Sequence, residues 1–241
     1  KKIYSILNRL STKRLDNLAI HGLNSLEHLD WVLEGEGAKI IEWAVSEGLV
    51  QQIGFSSHGS SVLIENALIS NKFNFCSLHL HLLDPERIPI ATHALSKGMG
   101  GMAISPADKG GRLHSPSKKL VGDCYPIPPL QLAYRFLLAN GISTLTLGAS
   151  QANDLLIAKE LNNSDGPLNE EEEKAINQLH LNASLRLGRT QCKQCRNCLP
   201  CPQQVPIPEL LRLRNLAIGH DLTAFAIERY NLIGRAGHWW E

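Results

Sequence analysis

Short apolar runs recur along the chain, each separated from the next by a stretch with helical periodicity. The runs are Leu18-Ala19-Ile20, Gln52-Ile53-Gly54-Phe55, Phe73-Asn74-Phe75-Cys76-Ser77-Leu78, Gly101-Met102-Ala103-Ile104 and Thr144-Leu145-Thr146-Leu147. Each is bounded by polar or turn-forming residues and is too short for a buried helix, so each reads as a strand. Helices are expected over Ala38–Gly48, Ser61–Ser70, Ile90–Lys97 and Leu130–Ala139, with Gly48, Gly98 and Asn140-Gly141 as stop signals. Strand and helix alternating at this spacing require βαβ units, and hence a parallel sheet with right-handed crossovers. Five such strands suit an open flavodoxin-like sheet, or part of a (β/α)8 barrel, and the alternation does not choose between them.

The two ends of the chain behave differently. Ile3, Ile6, Leu7 and Leu10 form an amphipathic helical pattern directly after Lys1, and the chain does not start with Met. Upstream sequence is therefore expected to be missing. From Asn169 the alternation stops. Asn169 and Glu172 form a capping-box pair, and Glu170 to Glu173 place negative charge where a helix N-terminus favours it, which reads as a solvated helix start. A cysteine segment follows, then Pro202, Pro206 and Pro208, then a helical tail through Leu210, Leu213, Leu216 and Ala217.

Composition excludes several classes of function. Lys and Arg total 24 against 23 Asp and Glu, a net charge of +1, so nucleic acid and anionic membranes are not expected partners. No apolar run approaches the roughly 18 residues of a membrane span. Cys76 and Cys124 are isolated, whereas Cys192, Cys195, Cys198 and Cys201 fall within ten residues. Thiols this close would oxidise outside the cell, so a reducing, cytoplasmic location is expected, with the four acting as ligands.

The segment Cys192-Lys193-Gln194-Cys195-Arg196-Asn197-Cys198-Leu199-Pro200-Cys201-Pro202 has the tight spacing and trailing proline of ferredoxin-type loops, which favours a [4Fe–4S] cluster. Zinc is the main rival, although its sites usually pair two separated hooks, and disulfides are the third reading. Cys201 is the natural fourth ligand and Cys124 a distant substitute. The expected strand ends are also rich in polar groups: His21-Gly22-Leu23-Asn24, Ser56-Ser57-His58-Gly59, His79-Leu80-His81, Ser105 to Arg112, and Gly148-Ala149-Ser150-Gln151. Parallel α/β folds gather their chemistry at such ends. The Ser150 and Gln151 amides could bind an anion, with Lys109, Gly110, Gly111 and Arg112 completing a phosphate cradle. If His79 and His81 lie on a strand, they point the same way and could bind one metal, as in a metal-dependent barrel hydrolase.

Taken in order, Leu15 to Gly22, Gln52 to Ser57, Ile104-Ser105-Pro106 and Leu147 to Ser150 resemble the aldo/keto reductase superfamily. The cysteine run and the tail Ala236-Gly237-His238-Trp239-Trp240 resemble its bacterial branch with a C-terminal ferredoxin-like module. The resemblance implies an α/β fold, a partial (β/α)8 TIM barrel of about the last five βα units over residues 1–184, followed by a small α-helical iron–sulfur module over 185–241. It further implies reduction of a small-molecule carbonyl by a nicotinamide cofactor, NAD(P)H, with His21 orienting the carbonyl. The tyrosine, lysine and aspartate that complete the family's catalytic set would lie upstream of Lys1. Without its proton donor such a site would lose at least the roughly 10²–10⁴-fold typical of general acid catalysis.

Cofactor positions carried over by the resemblance are Ser56, Ser57, Ser105, Gly148, Ala149 and Ser150. Three departures stand out. Ile104 replaces a stacking aromatic, Ser57 replaces an asparagine that usually binds the carboxamide, and Asp154 falls where many members carry an arginine for the 2′-phosphate. NADPH is therefore not favoured over NADH. The expected function is an iron–sulfur oxidoreductase with a possible redox partner protein. Two alternatives stand beside it: a non-catalytic electron-transfer or interaction protein on a barrel remnant, and the His79/His81 hydrolase. Two open sheet edges would also favour self-association.

Overall fold

The computed structural model describes residues 2–107, 112–161 and 166–233. The chain begins with α1 (Lys2–Arg9), β1 (Leu15–Ile20), α2 (Leu26–Leu33), α3 (Glu36–Ser46), β2 (Val50–Ser57), α4 (Ser61–Ile69) and β3 (Phe75–Leu78). A short 3-10 turn, Pro85–Arg87, leads into α5 (Ile88–Ser96) and β4 (Gly100–Ala103). Then come α6 (Lys118–Cys124), α7 (Pro129–Ala139), β5 (Thr144–Leu145), α8 (Leu156–Leu161), α9 (Glu170–Leu187), α10 (Ile207–His220) and α11 (Thr223–Leu232).

Local chemistry sets most of these boundaries. Ser25, Ser60 and Ser117 each accept the backbone N–H of the third residue of α2, α4 and α6. Asn169 and Glu172 exchange the reciprocal bonds of a capping box, both at 2.9 Å. Gly48, Gly98 and Gly141 take positive φ of 67°, 78° and 79° just past α3, α5 and α7, where a side chain would be strained.

The strands form one sheet in the order β1-β2-β3-β4-β5. β1 and β2 pair in parallel from Leu15 opposite Val50 to Ile20 opposite Phe55; β2 and β3 pair in parallel from Gly54 opposite Phe75 to Ser57 opposite Leu78. The expected strands are all present with shifted ends. β1 starts three residues earlier than its apolar run, because Asp16 and Asn17 are exposed polar members of the strand. β5 is limited to Thr144 and Leu145, although Thr146 still donates its N–H to the Ala103 carbonyl at 3.0 Å.

The described residues divide into two compact units, 2–79 with 89–102, and 80–88 with 103–233. In the first, Leu23, Phe55, Ile64, Leu68 and Leu78 are completely enclosed, and Phe55 meets Phe73 edge-on at 4.8 Å. In the second, Leu80, Leu82, Leu113, Leu120, Leu132, Tyr134 and Leu137 play this part. Each such side chain contributes about 1.5–3 kcal/mol from burial.

The second unit also contains a buried ion pair and a partly buried one. Arg135 on α7 donates to Glu172 at 2.7 and 3.0 Å and to the Pro167 carbonyl at 2.9 Å. The Arg135 bonds hold the Glu172 carboxyl below its ordinary pKa. Asp123 on α6 accepts from Asn182 and from both terminal nitrogens of Arg186 on α9, and Arg186 also donates to the Gly219 carbonyl on α10. Burial alone would raise the Asp123 pKa, but these bonds outweigh it and lower it.

A Cβ at Gly54 would stand 2.4 Å from the Phe75 ring. Gly54→Ala is therefore expected to lower stability by about 1–3 kcal/mol, read from the denaturant midpoint. His220 is enclosed, and burial lowers its pKa from 6.5 to about 4, with the Asp123 charge opposing the shift. Between those values the unfolded chain binds more protons, so stability is full above pH 6.5 and falls as the solution is acidified. The loss is on the order of 3 kcal/mol by pH 4. His220→Asn should flatten the dependence between pH 6.5 and 5, before carboxylates titrate; an unchanged slope would remove His220 as its source.

Candidate functional site

In the first unit the strand ends are laced together. β1 gives way to the exposed His21 and to Gly22 at φ 72°. Gly22 donates its N–H to Ser56 Oγ at 3.1 Å, and Leu23 donates to the Ser56 carbonyl at 2.9 Å. Ser57, completely buried, donates Oγ–H to the Leu23 carbonyl at 2.6 Å and accepts the Gly59 N–H at 2.9 Å. Asn24 accepts the His58 N–H at 2.7 Å, while its own Nδ2 is buried and meets no acceptor among the described residues. The His58 and His79 rings lie 4.1 Å apart at 31°. The fold thus brings Gly22, Asn24, Ser56, Ser57 and His58 together. His28 on α2, which no sequence motif singles out, joins them with Nδ1 at 3.1 Å from the Gly22 carbonyl.

In the second unit Ser105 adopts φ 50° and donates its N–H to Thr146 Oγ1 at 2.9 Å. Gly148, Ala149 and Ser150 are exposed. The Ser150 and Gln151 amides both donate to one oxygen of Asp154, at 2.7 and 3.1 Å, and these bonds hold the Asp154 carboxyl well below its ordinary range. The turn expected to receive an external anion already holds one from its own chain. Residues Lys109, Gly110 and Gly111 lie outside the described residues. Arg112, the last member of the expected cradle, forms a bidentate pair with Glu228 at 2.7 and 2.9 Å.

The geometry supposed for His79 and His81 does not occur. β3 ends at Leu78, so neither residue lies on a strand, and His81 instead forms an isolated bridge with Asp84. The His81 ring is buried with Nδ1 3.4 Å from the Pro106 carbonyl. A period-two argument fails here because strand pairing stops at Leu78, one residue before the first histidine.

The cysteine loop is fastened to α10. Asn215 accepts the Cys192 N–H at 3.2 Å and donates to the Cys192 carbonyl at 2.8 Å. Gln194 donates Nε2–H to the Pro208 carbonyl at 2.9 Å and approaches Cys192 Sγ at 3.3 Å. Arg214 binds the Thr190 carbonyl at 3.0 Å and its hydroxyl at 2.6 Å. Gln194 and Arg196, between the cysteines, adopt φ of 52° and 61° and turn the loop sharply. Arg196 pairs with Glu209 at 3.4 Å, Arg212 reaches the same carboxylate at 3.3 Å, and Lys193 pairs with Glu86 at 3.0 Å.

All six cysteines are free of disulfides. The donor set, four thiols on one short loop with an amide and a guanidinium beside them, fits a thiolate-bound cluster in its chemistry. Among the described residues, no three His, Cys, Asp or Glu side chains converge as a metal-holding group. Cys124 is completely buried on α6, and burial, then the Asp123 charge, pushes its thiol up to about 12, which disfavours the thiolate a ligand needs. For a dinucleotide the fit is poorer. Ser57 and the Ser150–Gln151 turn have their polar groups bonded internally, and a phosphate would have to displace Asp154.

The fold resembles solved aldo-keto reductases. A holo-form aldo-keto reductase from Bacillus halodurans matches with TM-score 0.57 and 21% identity, over 73% of this chain and 62% of that one. Its apo form matches with TM-score 0.59 and 21% identity, over 73% and 66%. An aldose reductase from Giardia lamblia matches with TM-score 0.53 and 20% identity, over 75% and 66%. At these identities the likeness is one of fold, and the chain spans less than two thirds of each of these structures. No protein-family model matches the chain, and no curated protein does. Among the described residues, no helix is long and apolar enough to cross a membrane.

Asp154 supplies the prediction for this site. Asp154→Ala frees the Ser150 and Gln151 amides that its carboxylate occupies. It should tighten inorganic pyrophosphate binding by about tenfold, since two amides become available and a negative charge is removed. Calorimetric titration giving equal affinities for the two forms would remove this turn as an anion site.

Proposed function

We propose that the chain belongs to an oxidoreductase of the aldo/keto reductase type, interconverting a small carbonyl and its alcohol, that also carries a [4Fe–4S] cluster on Cys192, Cys195, Cys198 and Cys201. In this reading residues 1–184 form the barrel-type part and residues 185–241 the cluster module. The observation that carries the oxidoreductase assignment is the parallel five-stranded sheet, similar in fold to aldo-keto reductases over about three quarters of the chain. The observation that supports the cluster is a loop of four disulfide-free thiols tied to α10 through Asn215, Gln194 and Arg196.

The chain's own residues have definable tasks in this proposal. His21, exposed at the end of β1, orients the substrate carbonyl. Asn24, with a buried and unanswered amide N–H, supports the same turn. Ser56, Ser57, Ser105, Gly148, Ala149 and Ser150 are the proposed nicotinamide positions. The Ser57 hydroxyl and the Ser150 amide are bonded inside the chain, so a nicotinamide nucleotide would have to displace the Leu23 carbonyl and the Asp154 carboxylate to use them. A bound cluster would supply one-electron transfer, with a redox partner protein as its counterpart, and the cysteines would bind as thiolates in a reducing, cytoplasmic setting.

A second reading is an electron-transfer protein without carbonyl chemistry. The internally closed groups at Ser57 and at Asp154 favour it. One preparation tests both. Anaerobically purified protein is expected to contain about four iron and four acid-labile sulfide per chain. It should lose most of both in Cys198→Ser, and the whole protein should oxidise NADH or NADPH in the presence of simple aldehydes. Zinc without sulfide would overturn the cluster. A full cluster with no aldehyde-dependent turnover would leave the electron carrier.

A further inference from the structure

Arg196 lies between two proposed ligands, Cys195 and Cys198, yet its side chain is only 19% exposed. One terminal nitrogen faces Glu209 Oε1 at 3.4 Å, and Arg212 secures the other oxygen of that carboxylate at 3.3 Å. The Arg196 Nε–H is buried and meets no acceptor among the described residues. A buried guanidinium N–H without an acceptor is costly, so such groups usually face a partner. Gln194, two residues earlier, sits in the preceding spacer and already directs its amide nitrogen at Cys192 Sγ, 3.3 Å away. Each of the two spacers thus carries a donor group beside the thiols: Gln194 Nε2, shared between the Pro208 carbonyl and Cys192 Sγ, and the Arg196 Nε–H, unpartnered among the described residues.

We propose that Arg196 and Gln194 donate hydrogen bonds to the sulfurs of the bound cluster and set its reduction potential. Arg196 Nε–H serves a thiolate or sulfide between Cys195 and Cys198, and Gln194 serves the Cys192 thiolate. The inference rests on the cluster reading above and adds to it which side chains tune the group. The Glu209–Arg212 pair acts as a positioning device that holds the far end of the Arg196 guanidinium. The physical basis is the charge of a reduced cluster: adding one electron places more negative charge on the sulfurs, and donors to those sulfurs stabilise the reduced form. In a titration that electron comes from dithionite, and no bond is made or broken.

The test is an EPR-monitored redox titration of the full chain, purified anaerobically, as wild type, Arg196→Met, Arg196→Lys and Gln194→Leu. Met and Leu fill comparable space without a donor. Both variants are expected to retain iron and sulfide and to shift the midpoint to more negative potential. Lys keeps the charge but lacks Nε, so it is expected to recover only part of the Arg196→Met shift. A wild-type midpoint in both Arg196→Met and Gln194→Leu would overturn the proposal while leaving the cluster in place. Full recovery by Lys would overturn the hydrogen bond from Nε in favour of charge alone. If Arg196→Met fails to fold, Gln194→Leu still decides whether spacer donors tune the group. A wild-type chain that takes up no iron or sulfide would sink the cluster reading itself, and this proposal with it.

Discussion

The Asp123–Arg186 pair joins three helices at once, and the C-terminal architecture depends on it. Asp123 stands on α6, Arg186 on α9, and the same guanidinium reaches the Gly219 carbonyl at the end of α10. Ser117 adds a second tie from the start of α6 to the His220 carbonyl, at 2.7 Å. α10 then carries Glu209 and Asn215, which hold the cysteine loop. Removing Asp123 leaves the partly exposed Arg186 guanidinium without its carboxylate, at a cost below the roughly 3–5 kcal/mol of a fully buried pair. Any disturbance at Asp123 would therefore be felt at the thiols through α10, although the aspartate takes no part in the loop itself.

A different economy governs the strand ends. Here polar groups that a ligand could use are spent on the chain: Ser56 and Ser57 bind the β1 turn, and Asp154 fills the amides of the last turn. Internal satisfaction lowers the free energy of the empty state. A ligand competing for the same groups gains only the difference between its own bonds and those it breaks. The penalty is small where a serine hydroxyl must be released and larger where a phosphate must displace a carboxylate of like charge.

Much of the architecture was legible because it rests on local rules. The apolar runs, the glycine stops and the Asn169–Glu172 box depend on neighbours within a few residues, and all appear in the structure. What could not be read depends on distance or on the point where a strand ends. The polar start of β1 is concealed because an edge strand needs no apolar run. The His79/His81 argument assumed strand geometry that stops at Leu78. Asp154 could be aligned with a cofactor position, but nothing in its spacing says that its carboxylate folds back onto Ser150. Arg196 reads as an ordinary solvated charge until Glu209, thirteen residues away, is seen to enclose it.

The thiols divide into two chemical populations. Cys76 and Cys124 are enclosed in the interior, with burial raising them to about 11 and about 12, so they remain protonated and inert at neutral pH. The other four lie on a loop that solvent reaches, with Cys195 and Cys198 exposed. Alkylating reagents applied to the native protein thus report on that loop alone, so covalent footprinting becomes a direct gauge of how fully its sulfurs are engaged.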